Sequence, residues 1–301
     1  MSNYVIFTDN SCELSPSDCA KYDLQRVMIE FYFPDTEIED PDDVDGFYKI
    51  LRPNYLSKTS ATNPQQFIDA FKPFLDAGND ILYFGLMRGL SVTIDNCLLA
   101  IQELTTQYPD RRIVGLDSRC VSGGLGYLAM EAAKKRLSGH NMDDVIAHIE
   151  SIKMSIVHDF TVDKLDYLHA GGRVSKLAQV VGEALGVRPI LHVNYEEEKG
   201  KGGDPEKKDR LVKRTQARGK KQTLRIMSDR IAANIQRSDD GSPIGAILIS
   251  HGDCLDKAQE LSKLIHEALP NIGIEFTRMG GVIGTHCGPT VMGAFYLGYE
   301  R

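Results

Sequence analysis

Hydroxyl and acidic residues gather where predicted strands give way to helices. Thr8-Asp9-Asn10-Ser11, Ser91 and Asp117-Ser118 stand at three such junctions, and Thr59-Ser60 precedes a further helix. In an open α/β sheet, ligands bind outside the carboxyl ends of the strands. Helix N-termini at that edge carry free N–H groups and a partial positive charge. Hydroxyls added to them make a neutral cradle for a carboxylate or a phosphate. Each residue alone is explained by simple helix capping, so only the recurrence points to a site. A second concentration is Gly280 to Pro289, where five of ten residues are glycine or proline. It predicts a chain bent tightly around something, with His286 able to donate or accept a hydrogen bond near neutral pH.

The same residue types allow other chemistry. Ser91 or Ser118 with His286 and Asp9 or Asp117 would supply a serine hydrolase or acyltransferase. Against it, the chain lacks a Gly-x-Ser-x-Gly nucleophile elbow. A small-anion sensor is a third reading, favoured by a shallow polar pocket without an apolar tunnel. No GxxxxGK[ST] phosphate loop and no HExxH zinc helix occur. Gly123-Gly124-Leu125-Gly126 and Gly281-Val282-Ile283-Gly284 both miss the GxGxxG spacing. A nucleotide site built by this chain alone is therefore disfavoured.

The elements that position these residues alternate, as in βα units around a mostly parallel sheet. Strands are predicted at Tyr4 to Phe7, Asp80 to Leu86 and Ile113 to Leu116. Asn63-Pro64 caps a helix through Phe67, Phe71 and Phe74. Helical spacing returns through Ile94, Leu98, Ile101 and Leu104, and again from Gly123 to Leu137. Past residue 150 the pattern is mixed. Strands are expected at Phe160 to Val162, Ile190 to Tyr195, Gly245 to Ser250 and Ile274 to Arg278. Helices are expected at Val174 to Leu185 and Leu255 to Leu269. The expected division is an N-terminal Rossmann-like α/β domain at 1–155 and a C-terminal mixed α/β domain at 156–301.

Composition bounds the function. The chain has 301 residues, 35 Lys+Arg against 42 Asp+Glu, and no Trp. The net charge of −7 argues against general nucleic-acid binding. No apolar run approaches the ~20 residues of a membrane span. The six cysteines form no CxxC pair, and with no signal peptide at the N-terminus they read as reduced, cytoplasmic thiols. The charge is uneven: residues 35–45 hold seven acidic residues, and 199–221 hold ten basic and three acidic ones. The first reads as a solvated loop. The second reads equally as an exposed connection or as a docking surface for an acidic partner.

In order along the chain, these segments resemble the DegV family of bacterial fatty-acid-binding proteins. The resemblance rests on Thr8-Asp9-Asn10-Ser11, Thr59-Ser60 with Pro64 and Phe67, Gly89-Leu90-Ser91-Val92-Thr93, and Asp117-Ser118. It continues through Leu168-His169-Ala170-Gly171-Gly172-Arg173, Arg218-Gly219-Lys220-Lys221 and Thr285-His286-Cys287-Gly288-Pro289. It implies a two-domain DegV-like fold and a long-chain fatty acid in an apolar tunnel. The carboxylate would sit on Thr59, Ser91 and His286. Ser60, Thr285, Arg173, Arg218 and Arg88 would lie behind it or face a phosphate. It implies no catalytic residue, metal or cofactor beyond the bound lipid. A separate ATP-dependent fatty acid kinase would receive the carboxylate for acyl-phosphate formation, with transient contact at a membrane surface. Three departures stand out: Met87-Arg88 for two serines, Val92 for a glycine, and Thr290 for the last glycine of the final motif.

Overall fold

The computed structural model describes residues 3–172, 186–194 and 210–301. The N-terminal half builds on β1 (Tyr4–Asp9), followed by α1 (Pro16–Tyr22), β2 (Leu24–Val27), β3 (Glu30–Tyr32), α2 (Val44–Ile50) and β4 (Lys58–Ser60). Then come α3 (Pro64–Asp76), β5 (Asp80–Gly85), α4 (Thr93–Gln107), β6 (Ile113–Asp117), α5 (Gly123–Leu137) and α6 (Met142–Ile152). Strands β2-β1-β5-β6 form an all-parallel sheet, and β3-β4 form a small antiparallel ribbon. Ile81, Leu82, Tyr83 and Phe84 are consecutive and fully buried. Such a run, without alternation, fits a strand covered on both faces.

The second half runs β7 (Ile156–Thr161), α7 (Asp166–Ala170), β8 (Val187–Asn194), β9 (Arg210–Arg218), α8 (Gly219–Asn234) and β10 (Ala246–His251). It ends with α9 (Leu255–Ala268), β11 (Gly273–Arg278), α10 (Gly281–Cys287) and β12 (Met292–Leu297). Its sheet has the order β11-β10-β12-β7-β8-β9. Only β10 and β11 pair in parallel; the other pairings are antiparallel. The α/β class with a parallel first sheet and a mixed second sheet is as expected.

Local signals explain most boundaries. Asn63 caps α3 by accepting from Gln66 N at 3.0 Å, while the Gln66 side chain accepts from Asn63 N at 2.8 Å. That reciprocal box, with Pro64 in the first turn, fixes the start of α3. Helix α5 is the shared centre of the two halves and packs on β7, β10 and β12. Its glycines serve that packing. A Cβ on Gly124 would lie 2.1 Å from His158 Nε2, and one on Gly126 would lie 2.3 Å from the Cys12 carbonyl. One apolar cluster accordingly joins Ile6 and Leu82 of the first sheet, Leu125 and Ala129 of α5, and Phe160 and Phe295 of the second.

Three sequence expectations change. Residues 280–289 are not a tight loop: α10 occupies most of them, and its glycines let aromatic rings approach. A Cβ on Gly281 would meet the Phe31 ring at 2.4 Å, and one on Gly284 the Phe47 ring at 2.6 Å. The strand expected at 160–162 begins earlier, at Ile156, because every residue of β7 is buried, His158 and Asp159 included. The basic segment is regular at its C-terminal end, as β9 and the start of α8. The helix expected at Val174 to Leu185 lies outside the described residues.

Candidate functional site

A cavity of about 380 Å³ opens between the two halves. Thr59 of β4, Ser91 after β5 and His286 of α10 all line it. The floor comes from the second sheet, through His158, Phe160, Val193, Leu211 and Phe295. Leu86, Leu90, Val121, Leu168, Val282, Ile283 and Val291 add apolar wall. Thr59, Ser91 and His286 are polar groups in an otherwise largely apolar lining.

Chain geometry brings Thr59 and His286 together. Ribbon β3-β4 pairs Thr59 with Phe31, and Phe31 in turn packs against α10. Thr59 Oγ1 thereby meets His286 Nε2 at 2.9 Å. Behind the histidine, at the end of α7, stands Gly171, where a Cβ would run into His286 Nδ1. Only a glycine at 171 lets α7 close on the imidazole. Ser91 Oγ shares a hydrogen bond with Thr93 Oγ1 at 2.8 Å and accepts from Thr93 N at 3.3 Å, so it is anchored to the start of α4.

The other expected residues separate. Arg88 lines the cavity at its rim, with Nη2 on Asp95 Oδ1 at 2.8 Å. Val92 also lines it and is 58% exposed, so the glycine replacement sits at the mouth. Ser60 is exposed on the far side of β4. Thr285 is buried behind the histidine, 2.6 Å from Ser57 Oγ and donating to the Gly281 carbonyl. Arg218 is exposed at the start of α8 and does not line the cavity. Arg173 lies outside the described residues. Thr290 accepts at Oγ1 from Asp163 N and at its carbonyl from Lys257 Nζ, which ties the end of β7 to α9.

The hydrolase constellation does not assemble in these bonds. Ser118 is fully buried, donates to the Gly85 carbonyl at 2.6 Å and accepts from Cys120 N at 3.0 Å. Asp9 is buried and receives Ser11, Leu86 N and Tyr83 OH. Asp117 Oδ1 accepts from Arg88 N and Arg119 N. These groups shape the loops after β1, β5 and β6.

Sequence reasoning missed two buried polar groups beside the cavity. His158 accepts from Val121 N at Nε2 and faces the Ile156 carbonyl through Nδ1. Burial, then the Arg301 charge, holds its pKa well below the ordinary value, so the ring is neutral. Glu13 accepts from Ser122 Oγ at 3.1 Å and from Gly280 N at 2.7 Å, bridging the starts of α5 and α10. Both Glu13 and Ser122 take left-handed backbone, at φ 62° and 55°. Burial pushes the Glu13 carboxyl well above its usual 4.5. The folded protein therefore keeps a proton that the unfolded chain releases as pH rises past that value. Stability is lost with rising pH until the folded pKa is passed. Glu13→Gln is expected to flatten this slope as pH rises above about 5. Urea unfolding across that range checks it, and parallel profiles for the two proteins would contradict it. For His158 the sequence sign was a polar residue within the run from Ile156 to Val162; Glu13, among polar neighbours, carried none.

The fold is that of DegV proteins. The DegV family model, described as an uncharacterised protein, matches residues 3–298, and the chain belongs to that family. A DegV domain-containing protein of Clostridium perfringens is 32% identical over 302 residues, covering 99% of this chain and 98% of the relative. One of Lactococcus lactis is 27% identical over 298 residues, covering 98% and 97%. Among solved structures, a fatty-acid-binding DegV family protein of Thermus thermophilus superposes with TM-score 0.80 at 20% identity, covering 99% and 100%. A stearic-acid-binding protein of Eubacterium ventriosum gives 0.78 at 20%, covering 97% of each chain. DegV of Bacillus subtilis, a fatty acid binding protein, gives 0.77 at 22%, covering 98% and 99%.

Proposed function

We propose that this protein binds a long-chain fatty acid in the cavity, with the carboxylate on Thr59, Ser91 and His286. The observation that carries this is that two hydroxyls and an imidazole, with Thr59 and His286 in hydrogen-bond contact, line a largely apolar chamber. Two hydroxyls and an imidazole suit a carboxylate, since each can donate to it and none leaves a fixed buried charge when the site is empty. The apolar wall suits the tail, at about 0.8 kcal/mol for each buried CH₂. Arg88 adds a cation at the mouth. The solved relatives that bind stearic acid and other fatty acids support the ligand class.

In the fuller reading the protein is a lipid carrier, not an enzyme. It presents the carboxylate to a separate ATP-dependent kinase in the cytoplasm, in transient contact with a membrane surface. Support comes from the family resemblance and from the lack of a nucleotide motif in the sequence. Two domains dividing near 155 belong to the same proposal, since one sheet uses strands up to Asp117 and the other strands from Ile156. The basic segment offers less free charge for docking than its composition suggests. Arg214 is spent on Asp159, and Lys220 contacts Glu260 at 2.6 Å.

Titration of lipid-free protein with palmitate tests the carboxylate assignment. Thr59→Ala and Ser91→Ala are each expected to weaken binding about tenfold, the worth of one hydrogen bond to a charged group. Unchanged affinity in both would remove the assignment.

A further inference from the structure

The cavity holds a second polar station that a plain hydrocarbon tail leaves unused. Ser122 lines the chamber yet is only 4% exposed. It stands on a different element from each of the three carboxylate residues. It precedes α5 beside the floor, where a Cβ on the adjacent Gly123 would lie 2.5 Å from the Phe295 ring. Thr59 and His286 stand on β4 and α10 instead.

The hydrogen bonding of Ser122 is set from behind. Its hydroxyl contacts Glu13 Oε1, and Glu13 Oε2 is pinned by Gly280 N. It makes no capping bond to α5, although it occupies the capping position. A serine hydroxyl has one proton and two acceptor lone pairs. When it donates to the Glu13 carboxylate, it can only accept from the cavity. When Glu13 is protonated and donates to it, its own proton is free to point into the cavity. A ligand hydroxyl matches both arrangements, because it donates and accepts. A ketone matches only the second, and a methylene matches neither.

We propose that the cavity selects long-chain fatty acids carrying a hydroxyl along the chain, and that Ser122 receives this hydroxyl. This rests on the fatty-acid reading above and narrows its ligand class. In a cavity walled only by hydrocarbon, an added hydroxyl would be buried without a partner and would weaken binding by roughly tenfold or more. With Ser122 in place the added group gains a partner, and the sign of the effect reverses at the matching carbon.

Titrations with stearate and with stearates hydroxylated at carbon 6, 8, 10 or 12 test this. At least one isomer is expected to bind about fivefold or more tighter than stearate. Ser122→Ala and Ser122→Gly are expected to abolish that ratio. The glycine variant relieves the left-handed backbone, so it keeps the test valid should the alanine variant fold poorly. If stearate binds but every hydroxylated isomer binds more weakly, or if the preference survives both variants, the Ser122 assignment is wrong and the fatty-acid reading stands. If neither stearate nor any isomer binds, both fall together.

Discussion

His286→Ala is expected to weaken palmitate binding by about ten- to a hundredfold, the largest effect of any single change at the site. The imidazole lines the cavity beside Thr59, and two elements are built around it. Thr59 meets it from β4 at 2.9 Å, and Gly171, just past α7, lets the chain pass close to its other nitrogen. Removing the ring therefore takes away a donor to the carboxylate and releases the Thr59 hydroxyl from its set direction. Because α10 is held by Phe31 and Phe47 under its glycines, the helix itself should persist. Titration of the refolded, lipid-free variant checks this. An affinity within about twofold of the unchanged protein would move the carboxylate elsewhere in the cavity.

Asp159→Ala is expected to destabilise the fold by about 3 kcal/mol, the scale of breaking a buried ion pair by removing one partner. Asp159 is fully buried in the middle of β7. Its two oxygens receive Arg214 Nε of β9 and Arg230 Nε of α8, each at 2.9 Å. The nearby guanidinium charges also help burial push His192 down to about 4. Without the carboxylate those cations face one another across the sheet. The consequence reaches the cavity, because His158 and Phe160, on either side of Asp159, form part of its floor. Urea unfolding gives the difference directly. A loss below about 1 kcal/mol would show that solvent compensates the arginines, which are 17% and 22% exposed.

Much of the scaffold was legible because its signals are local. Asn63-Pro64, the apolar run at Asp80 to Leu86 and the helical spacing after Ile94 each fix one element without help from the rest. Residues 280–289 misled for the opposite reason. Their glycines read as a turn, but here they are small positions under Phe31 and Phe47, and those contacts come from segments far away in sequence. The site followed the same division. Thr59, Ser91 and His286 were found through hydroxyls at strand ends and family resemblance, and they line one cavity. Glu13 and His158 were missed, and Ser122 reads from the sequence as a cap of α5, a bond it does not make. Their importance comes from burial and from partners far along the chain, such as Gly280 for Glu13. Arg88 was flagged as a departure, but its pairing with Asp95 depends on the turn that leads into α4.

The central claim is that the chamber between the two halves holds a fatty acid. Purification from a bacterial host, denaturation and mass spectrometry of the organic extract test it most directly. The expected result is a C14 to C18 fatty acid at about one per chain, lost or reduced in Thr59→Ala and His286→Ala. An extract without fatty acid, together with esterase turnover that disappears in Ser91→Ala, would contradict it and return the site to hydrolase chemistry.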